Sequence, residues 1–194
     1  MTAARFHDKL MTDENTGGRF MIIYPYEGIT PRIDPTAFIA EGAVLTGDIS
    51  VAKDVSIWFN TVIRGDVAPT IIEEGVNIQD NSTLHQSAPL PLHLKKGVTV
   101  GHQCLLHSCT VEEDALVGMG SIVLDGAVIG EGAFLGAGSL VPPGKVIPPN
   151  TLALGRPAKV VRELTEDDRE EMKRIRESYV EKGKIYKRHQ NEQG

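Results

Sequence analysis

A repeat of six residues runs through the chain from Ile39 to Ile147 and limits the possible folds more than any other feature. The first position of each segment is aliphatic: Ile39, Leu45, Val51, Ile57, Ile63, Ile72, Ile78, Leu84, Val100, Leu106, Val111, Val117, Val123, Ile129, Leu135, Val141 and Ile147. A period of six is not the helical period of 3.6, although the strand period of two divides it. Each segment therefore predicts one short strand and one tight turn. Three segments, about 18 residues, would make one turn of a three-sided coil.

The composition agrees with a narrow core of this kind. Aromatic residues make up 5% of the chain and glycine 20 of its 194 residues, so the core must close with aliphatic side chains and tight turns. Small or turn-forming residues that tolerate such turns occupy the expected corners. They are Gly42, Gly47, Asp48, Asn60, Gly65, Gly120, Gly126, Gly132 and Gly138. Stacked turns would pair parallel strands around one aliphatic column, which predicts a mainly β fold.

Two segments interrupt the repeat, and a helical pattern follows it. Residues 68–71 are expected to form a short irregular link, and two prolines within residues 85–97 favour a protruding loop. From Thr165 the pattern is helical, because Thr165 is a suitable N-cap and acidic residues crowd the next turn. We expect the helix to lie against the outside of the coil or against a neighbouring copy. Its narrow apolar stripe comprises Met172, Ile175 and Tyr179.

The chain therefore divides into three parts. Residues 1–20 are polar and lack the apolar stretch of a secretion signal, so we expect a disordered leader or an upstream extension. Residues 21–160 are expected to form the coil, and residues 161–194 the C-terminal helix and tail.

Charge, hydropathy and cysteine content exclude several classes of protein. The formal net charge of −6 argues against nucleic acid as a partner, because phosphate binding needs clustered basic residues. No apolar run approaches the ~18 residues that cross a bilayer, so no membrane partner is expected. The two cysteines, Cys104 and Cys109, are too few for a disulfide scaffold, and a reducing cytoplasm suits them best.

Three histidines have defined places in the repeat and are candidate metal ligands. His85 and His107 each follow an inward aliphatic residue directly, and His102 comes two residues after one, so all three should face outward. If the loop takes up a few of the intervening residues, His85 and His107 stack on neighbouring turns of one face. His102 would lie on an adjacent face and point away, so three ligands from one chain would not converge easily. In a homotrimer, His102 of a neighbouring copy can complete the pair. Three imidazoles with an open fourth position suit a catalytic zinc, and also iron or cobalt.

Five local sequences together resemble the γ-class carbonic anhydrase family of hexapeptide-repeat proteins, in order and in spacing. They are IRGD (63–66), NIQDN (77–81), LHQ (84–86), VGHQCLLHSC (100–109) and VGMGS (117–121). The resemblance covers the whole repeat and the trailing helix. It implies a left-handed parallel β-helix of hexapeptide repeats with a C-terminal α-helix, and the hand is taken from the family because the periodicity does not define it.

The resemblance also implies roles for individual residues. The metal ligands would be His85, His102 and His107, with His102 supplied across a subunit interface. Arg64 and Asp66 would form an ion pair between subunits that aligns the site.

Four further residues would complete the site by the same resemblance. Asp80 would lie near the arginine. Gln79 would hydrogen-bond the metal-bound water, which suits an amide because it both donates and accepts. Asn77 would be a neighbouring polar contact, and Tyr179 on the C-terminal helix would also reach the site.

The implied activity is that of a carbonic anhydrase-like lyase: reversible hydration of carbon dioxide to bicarbonate by a metal-bound hydroxide at a trimer interface. No carboxylate closely follows Asp66 or His85, where members of the family with an acidic loop would shuttle protons. Slow turnover is therefore expected unless His93 carries the proton. Two alternatives stay open: a hexapeptide acyltransferase using an acyl-CoA donor, and a non-catalytic metal-binding trimeric scaffold.

Overall fold

The computed structural model describes residues 21–192, which form a parallel β-helix followed by one long helix. The elements in chain order are β1 (Ile22–Tyr24), β2 (Arg32–Ile33), β3 (Phe38–Ile39), β4 (Val44–Val51), β5 (Ser56–Ile57), β6 (Val62–Ile72), β7 (Asn77–Ile78), β8 (Thr83–His85), β9 (Leu92–Leu94), β10 (Thr99–Val100), β11 (Leu105–His107), β12 (Thr110–Val111), β13 (Leu116–Val117), β14 (Ile122–Val123), β15 (Val128–Ile129), β16 (Phe134–Leu135), β17 (Leu140–Val141), β18 (Val146–Ile147), β19 (Thr151–Gly155), β20 (Ala158–Glu163) and α1 (Glu166–Glu192). The leader expected over residues 1–20 lies outside the described residues. The predicted mainly β fold with a C-terminal helix is confirmed.

The strands form three faces. The first face contains β1, the first halves of β4 and β6, β8, β11, β14 and β17. The second contains β2, the second halves of β4 and β6, β9, β12, β15 and β18. The third contains β3, β5, β7, β10, β13, β16 and β19. Neighbouring strands are parallel throughout these faces, as predicted, and β20 closes the third face as an antiparallel edge strand.

The aliphatic first residue of each repeat points into the coil, as predicted. On the first face, Leu45, Ile63, Leu84 and Leu106 lie one above another, and none of them is exposed to solvent. Burying one such side chain contributes about 1.5–3 kcal/mol, so the stacked columns are the main source of stability. Both cysteines are free and buried in this core, which agrees with the expected absence of a disulfide.

Strands β4 and β6 continue from the first face to the second, which corrects two predictions. Gly47, Asp48 and Gly65 lie within strands and not at corners, and the predicted irregular link 68–71 is part of β6. The pairing of β4 with β6 skips residues 66–69, which form a bulge. Paired glycines allow the two strands to approach closely here: a Cβ on Gly47 would lie 2.3 Å from the carbonyl oxygen of Gly65.

The second predicted interruption is shorter than residues 85–97. Strand β8 ends at His85 and β9 begins at Leu92, so only the residues between them form the loop. Leu92 and Leu94 are fully buried and continue the inward column of the second face, and this burial outweighs the loop signal of the prolines. His93 therefore lies on a strand, where its Nε2 is 2.6 Å from a carboxylate oxygen of Glu73.

Helix α1 packs on the third face of its own coil, as one of the two predicted arrangements requires. Its apolar stripe makes two separate contacts: Met172 and Ile175 pack beside Leu164, whereas Tyr179 packs against Trp58. The rings of Tyr179 and Trp58 are 5.4 Å apart and nearly perpendicular, a favourable edge-to-face arrangement. Within residues 21–192, no helix is both long and apolar enough to cross a membrane.

The start of α1 is fixed by hydrogen bonds in both directions between Thr165 and Asp168. The backbone N–H of Asp168 donates to the Thr165 hydroxyl (3.2 Å), and the backbone N–H of Thr165 donates to the Asp168 carboxylate (2.7 Å). Arg162 donates two further hydrogen bonds to this carboxylate, and together with Thr165 it lowers the pKa of Asp168. These contacts confirm Thr165 as the N-cap and form a capping box with an aspartate in its last position.

Replacing Thr165 by alanine is expected to lower the free energy of unfolding by about 1 kcal/mol, because the backbone N–H of Asp168 loses its acceptor. Thr165→Ser keeps the hydroxyl and should remain close to the wild-type protein. Urea unfolding followed by circular dichroism measures both variants. Equal stability of the alanine and serine variants would contradict the proposed cap.

Candidate metal centre

His85 and His107 lie side by side on the first face. Each follows a buried leucine of the inward column, Leu84 or Leu106, and the two histidines are direct partners in the pairing of β8 with β11. Their ring centroids are 5.1 Å apart, and Nδ1 of His85 is 3.1 Å from Nε2 of His107. The stacking predicted from the repeat is therefore present within one chain.

Each of the three candidate ligands has one ring nitrogen beside an aspartate. Nε2 of His85 is 3.1 Å from Oδ1 of Asp66, and Nδ1 of His107 is 2.5 Å from Oδ1 of Asp125. Nδ1 of His102 is 2.8 Å from Oδ2 of Asp80. A carboxylate that accepts the N–H of a neutral imidazole leaves the other ring nitrogen with its lone pair, which is the usual surrounding of a metal-ligating histidine.

The spacing of the facing nitrogens of His85 and His107 fits a divalent metal. Two nitrogens bound to one tetrahedral zinc lie about 3.4 Å apart, because each zinc–nitrogen bond is about 2.0–2.1 Å long. The observed separation of 3.1 Å needs only a small adjustment. The two imidazoles of one chain are therefore spaced as two ligands of one zinc ion would be.

His102 lies at the opposite edge of the first face, in the turn that follows β10. Its Nε2 is 3.5 Å from the hydroxyl of Tyr179, so the helix reaches this histidine. Burial, and then the nearby charge of Asp80, raise the pKa of Tyr179. Among residues 21–192, no three His, Cys, Asp or Glu side chains lie close enough together to hold a metal ion. A three-histidine site therefore needs His102 from another copy.

Arg64 and Asp66 form an ion pair within one chain. Nη1 of Arg64 is 2.7 Å from Oδ2 of Asp66, while Oδ1 of the same carboxylate faces His85. Burial raises the pKa of Asp66, but the hydrogen bond with His85 and the charge of Arg64 outweigh it and hold the pKa below its usual value. The ion pair between subunits stays a prediction, as does the proximity of Asp80 to Arg64.

Gln79 and Asn77 lie near the other edge of the first face, in the same coil as Asp80. Both side chains are buried, and they form a chain of hydrogen bonds. Nε2 of Gln79 donates to Oδ1 of Asn77 (3.1 Å), and Nδ2 of Asn77 donates to the Thr99 hydroxyl (2.8 Å). The hydrogen bond to Asn77 orients the Gln79 amide with its nitrogen as the donor.

The predicted site residues therefore fall into two half-sites at opposite edges of the first face. The pair half-site contains Arg64, Asp66, His85 and His107. The single half-site contains Asn77, Gln79, Asp80, His102 and Tyr179. Direct contacts join all four members of the pair half-site. In the single half-site they join Asn77 to Gln79, and His102 to Asp80 and Tyr179. The two half-sites do not form one metal cluster within residues 21–192.

Sequence reasoning missed Asp125, which faces His107 from the next turn of the coil. The hydrogen bond with His107, and then one with Ser87, lower the pKa of Asp125. The period could have found it, because the two residues are separated by one full turn. It also missed Gln86, which is buried beside β6 and contacts the hydroxyl of Thr70.

Comparison with known proteins places these features in a family. The protein family described as "Bacterial transferase hexapeptide (six repeats)" matches this chain over residues 108–143. A carbonic anhydrase from Geobacillus kaustophilus is 67% identical over 166 residues, which cover 86% of this chain and 91% of that protein. The chain belongs to the γ-class carbonic anhydrase-like family of hexapeptide-repeat proteins. Membership confirms the resemblance found in the sequence, and with it the left hand of the β-helix.

Other members of the hexapeptide-repeat family carry transferase names. The Bacillus subtilis uncharacterized transferase YtoA is 62% identical over 86% of this chain and 97% of its own length. The crystal structure of a hexapeptide transferase family protein from Anaplasma phagocytophilum has a TM-score of 0.81 and 44% identity, covering 85% of this chain and 98% of that one. The names of the relatives thus divide between a lyase and transferases.

Proposed function

We propose that the chain forms a homotrimer that binds zinc between subunits and catalyses the reversible hydration of carbon dioxide to bicarbonate. His85 and His107 of one subunit and His102 of the partner subunit would hold the metal. The observation that carries this proposal is the set of three histidine–aspartate pairs, each of which leaves one ring nitrogen without a carboxylate partner. A metal-ligating histidine almost always donates its second ring N–H to such an acceptor, so these pairs are the surroundings expected of a ligand set.

The surface between the two half-sites supports the homotrimer. Val62 and Leu105 belong to the outward column of the first face, and they are 37% and 39% exposed in a single chain. Met119, directly below His102 in the coil, is 60% exposed. Large apolar side chains at this exposure are typical of an interface. Closed threefold symmetry would bring the pair half-site of each copy to the single half-site of the next.

The residues around the three histidines would orient the imidazoles and supply polar groups to the proposed centre. A bound zinc ion supplies a Lewis acid and lowers the pKa of a coordinated water to about 7. Asp66, Asp80 and Asp125 hold the imidazoles in place. The hydrogen-bonded Gln79 amide is available to orient a small polar reactant, and Arg64 adds a fixed positive charge that suits the bicarbonate anion. The related carbonic anhydrase from Geobacillus kaustophilus supports the same reaction.

Few side chains near the proposed centre are suited to carry the proton away after the hydration step. His93 lies on another face, and its Nε2 already contacts Glu73. A proton relay through His93 would therefore have to use an imidazole that is hydrogen-bonded to a carboxylate. No carboxylate takes the place of an acidic loop beside His85 in the sequence. We therefore propose slow turnover, limited by the removal of the proton.

The transferase names of two relatives support a second candidate, an acyltransferase that uses an acyl-CoA donor. One histidine acting as a general base would suffice for that reaction. The paired imidazoles of His85 and His107 argue against it, because a general base gains nothing from a second imidazole that competes for its free nitrogen. Binding of acetyl-CoA to the protein, measured by calorimetry, would favour this candidate.

The test is carbon dioxide hydration by the zinc-loaded protein in a stopped-flow instrument. We expect hydration that disappears after zinc removal and in His107→Ala. His189→Ala is the matched control, because His189 is an exposed residue near the end of α1. Zinc binding without hydration would instead indicate a non-catalytic metal-binding trimer, and absence of zinc binding would refute the proposal.

A further inference from the structure

Asp125 contacts a candidate ligand from the neighbouring turn of the coil. It lies two residues after the inward Val123 of β14, in the corner between the first and second faces. Its Oδ1 is 2.5 Å from Nδ1 of His107. The loop after β8 lies beside the same coil, where the backbone N–H of Ser87 donates to the Ser108 hydroxyl at 2.7 Å. The contact of the Asp125 carboxylate with His107 is therefore the one that bears on the candidate site.

We propose that Asp125 is a positioning residue that keeps Nδ1 of His107 protonated and turns Nε2 toward His85. This inference rests on the proposed metal centre and deepens it. A neutral imidazole carries one N–H, and a carboxylate at Nδ1 selects the tautomer that has it there. The lone pair of Nε2 is then free, and the neighbouring negative charge makes that nitrogen a stronger donor to a metal.

The geometry distinguishes this pair from an ordinary surface ion pair. His93 and Glu73 form a similar contact at 2.6 Å on the second face. No second imidazole is stacked on His93, whose partners in neighbouring strands are Ile71 and Thr110. Nε2 of His107, in contrast, faces Nδ1 of His85 at 3.1 Å. Of His93 and His107, it is His107 whose second ring nitrogen faces another imidazole, so the orientation of its ring bears on the candidate site.

Zinc affinity of the full-length protein is the first test, measured by competition with a chromophoric chelator. Asp125→Ala is expected to weaken zinc binding 10–100-fold, since loss of a residue that orients a ligand typically has an effect of about this size. Asp125→Asn should recover most of the affinity, because its amide oxygen can still accept the N–H of Nδ1. Glu73→Ala is the matched control and should bind zinc as the wild-type protein does.

The tautomer of His107 is the second test, and it needs no metal. In the metal-free protein, nitrogen-15 NMR should show the Nδ1–H form of His107, and Asp125→Ala should shift the population toward the Nε2–H form. Unchanged zinc affinity and an unchanged tautomer in Asp125→Ala would overturn the inference. So would an asparagine variant as weak as the alanine variant, because a hydrogen bond would then not be the cause.

The two proposals can fail separately. If the wild-type protein binds zinc but does not hydrate carbon dioxide, the proposed activity is wrong and the affinity measurements on Asp125 still stand. If the wild-type protein binds no zinc, the proposed centre is wrong, and the metal-free tautomer alone decides whether Asp125 orients His107. Should Asp125→Ala fail to fold, the asparagine variant and the wild-type spectrum decide in its place.

Discussion

A mixture of His102→Ala and His107→Ala subunits is expected to bind zinc, although neither variant should bind it alone. The reason is the separation of the ligands into two half-sites at opposite edges of the first face. A His102→Ala subunit keeps an intact pair half-site, and a His107→Ala subunit keeps an intact single half-site. Where the two meet in the correct order, all three imidazoles are present.

The experiment requires co-expression of the two variants with different affinity tags and isolation of mixed oligomers. In a closed trimer that contains both variants, about one third of the interfaces should regain a complete site. The matched control is a mixture of His85→Ala and His107→Ala, in which both changes damage the same half-site. This mixture should bind no zinc at any ratio. Zinc binding by either variant alone, or equal behaviour of the two mixtures, would show that the ligands do not meet across an interface.

Replacing Gly47 by alanine is expected to destabilise the fold more than a comparable change at an open corner. Gly47 has a φ of +81°, which costs an alanine about 1–2 kcal/mol. Its new Cβ would also lie 2.3 Å from the carbonyl oxygen of Gly65, so β4 and β6 must move apart. Overpacking of this kind lowers the free energy of unfolding by a further amount of about 1–3 kcal/mol.

Gly138→Ala supplies the control. Gly138 has a similar φ of +70°, and a Cβ there would meet nothing within 4 Å. The difference in the free energy of unfolding between the two variants measures the close approach of the strands alone. Because β6 also carries Arg64 and Asp66, Gly47→Ala should weaken zinc binding as well. Equal stability of the two variants would mean that the strands can separate at no cost.

Much of the fold could be predicted because the repeat is dictated by burial. An inward position every six residues is visible in the sequence, and the strand partners follow from counting turns. Counting turns also predicts that His85 and His107 stack on one face and that His102 lies away from them. The helix was predictable from its N-cap, since Thr165 and Asp168 are local in the chain.

The parts that could not be predicted depend on contacts between distant residues. Gly47 and Gly65 match the pattern of corners, and only their mutual contact shows that they let two paired strands approach closely. The buried leucines of β9 end the loop earlier than its prolines suggest. The pairing of Tyr179 with His102 depends on where α1 lies on the third face, which a helical pattern does not specify. The roles of these residues at a metal stay predictions.

The division of the candidate ligands between two edges would make assembly of the proposed homotrimer and binding of its metal one equilibrium. A lone subunit carries all three histidines and yet holds only two of them together. Zinc should therefore bind most tightly where the chain is concentrated enough to associate, and zinc in turn should favour association. In the proposed homotrimer, dilution is expected to release the ion and to stop hydration without any change in the fold of the subunit. Activity would then rise more steeply than the amount of chain, because complete sites would form only where subunits associate.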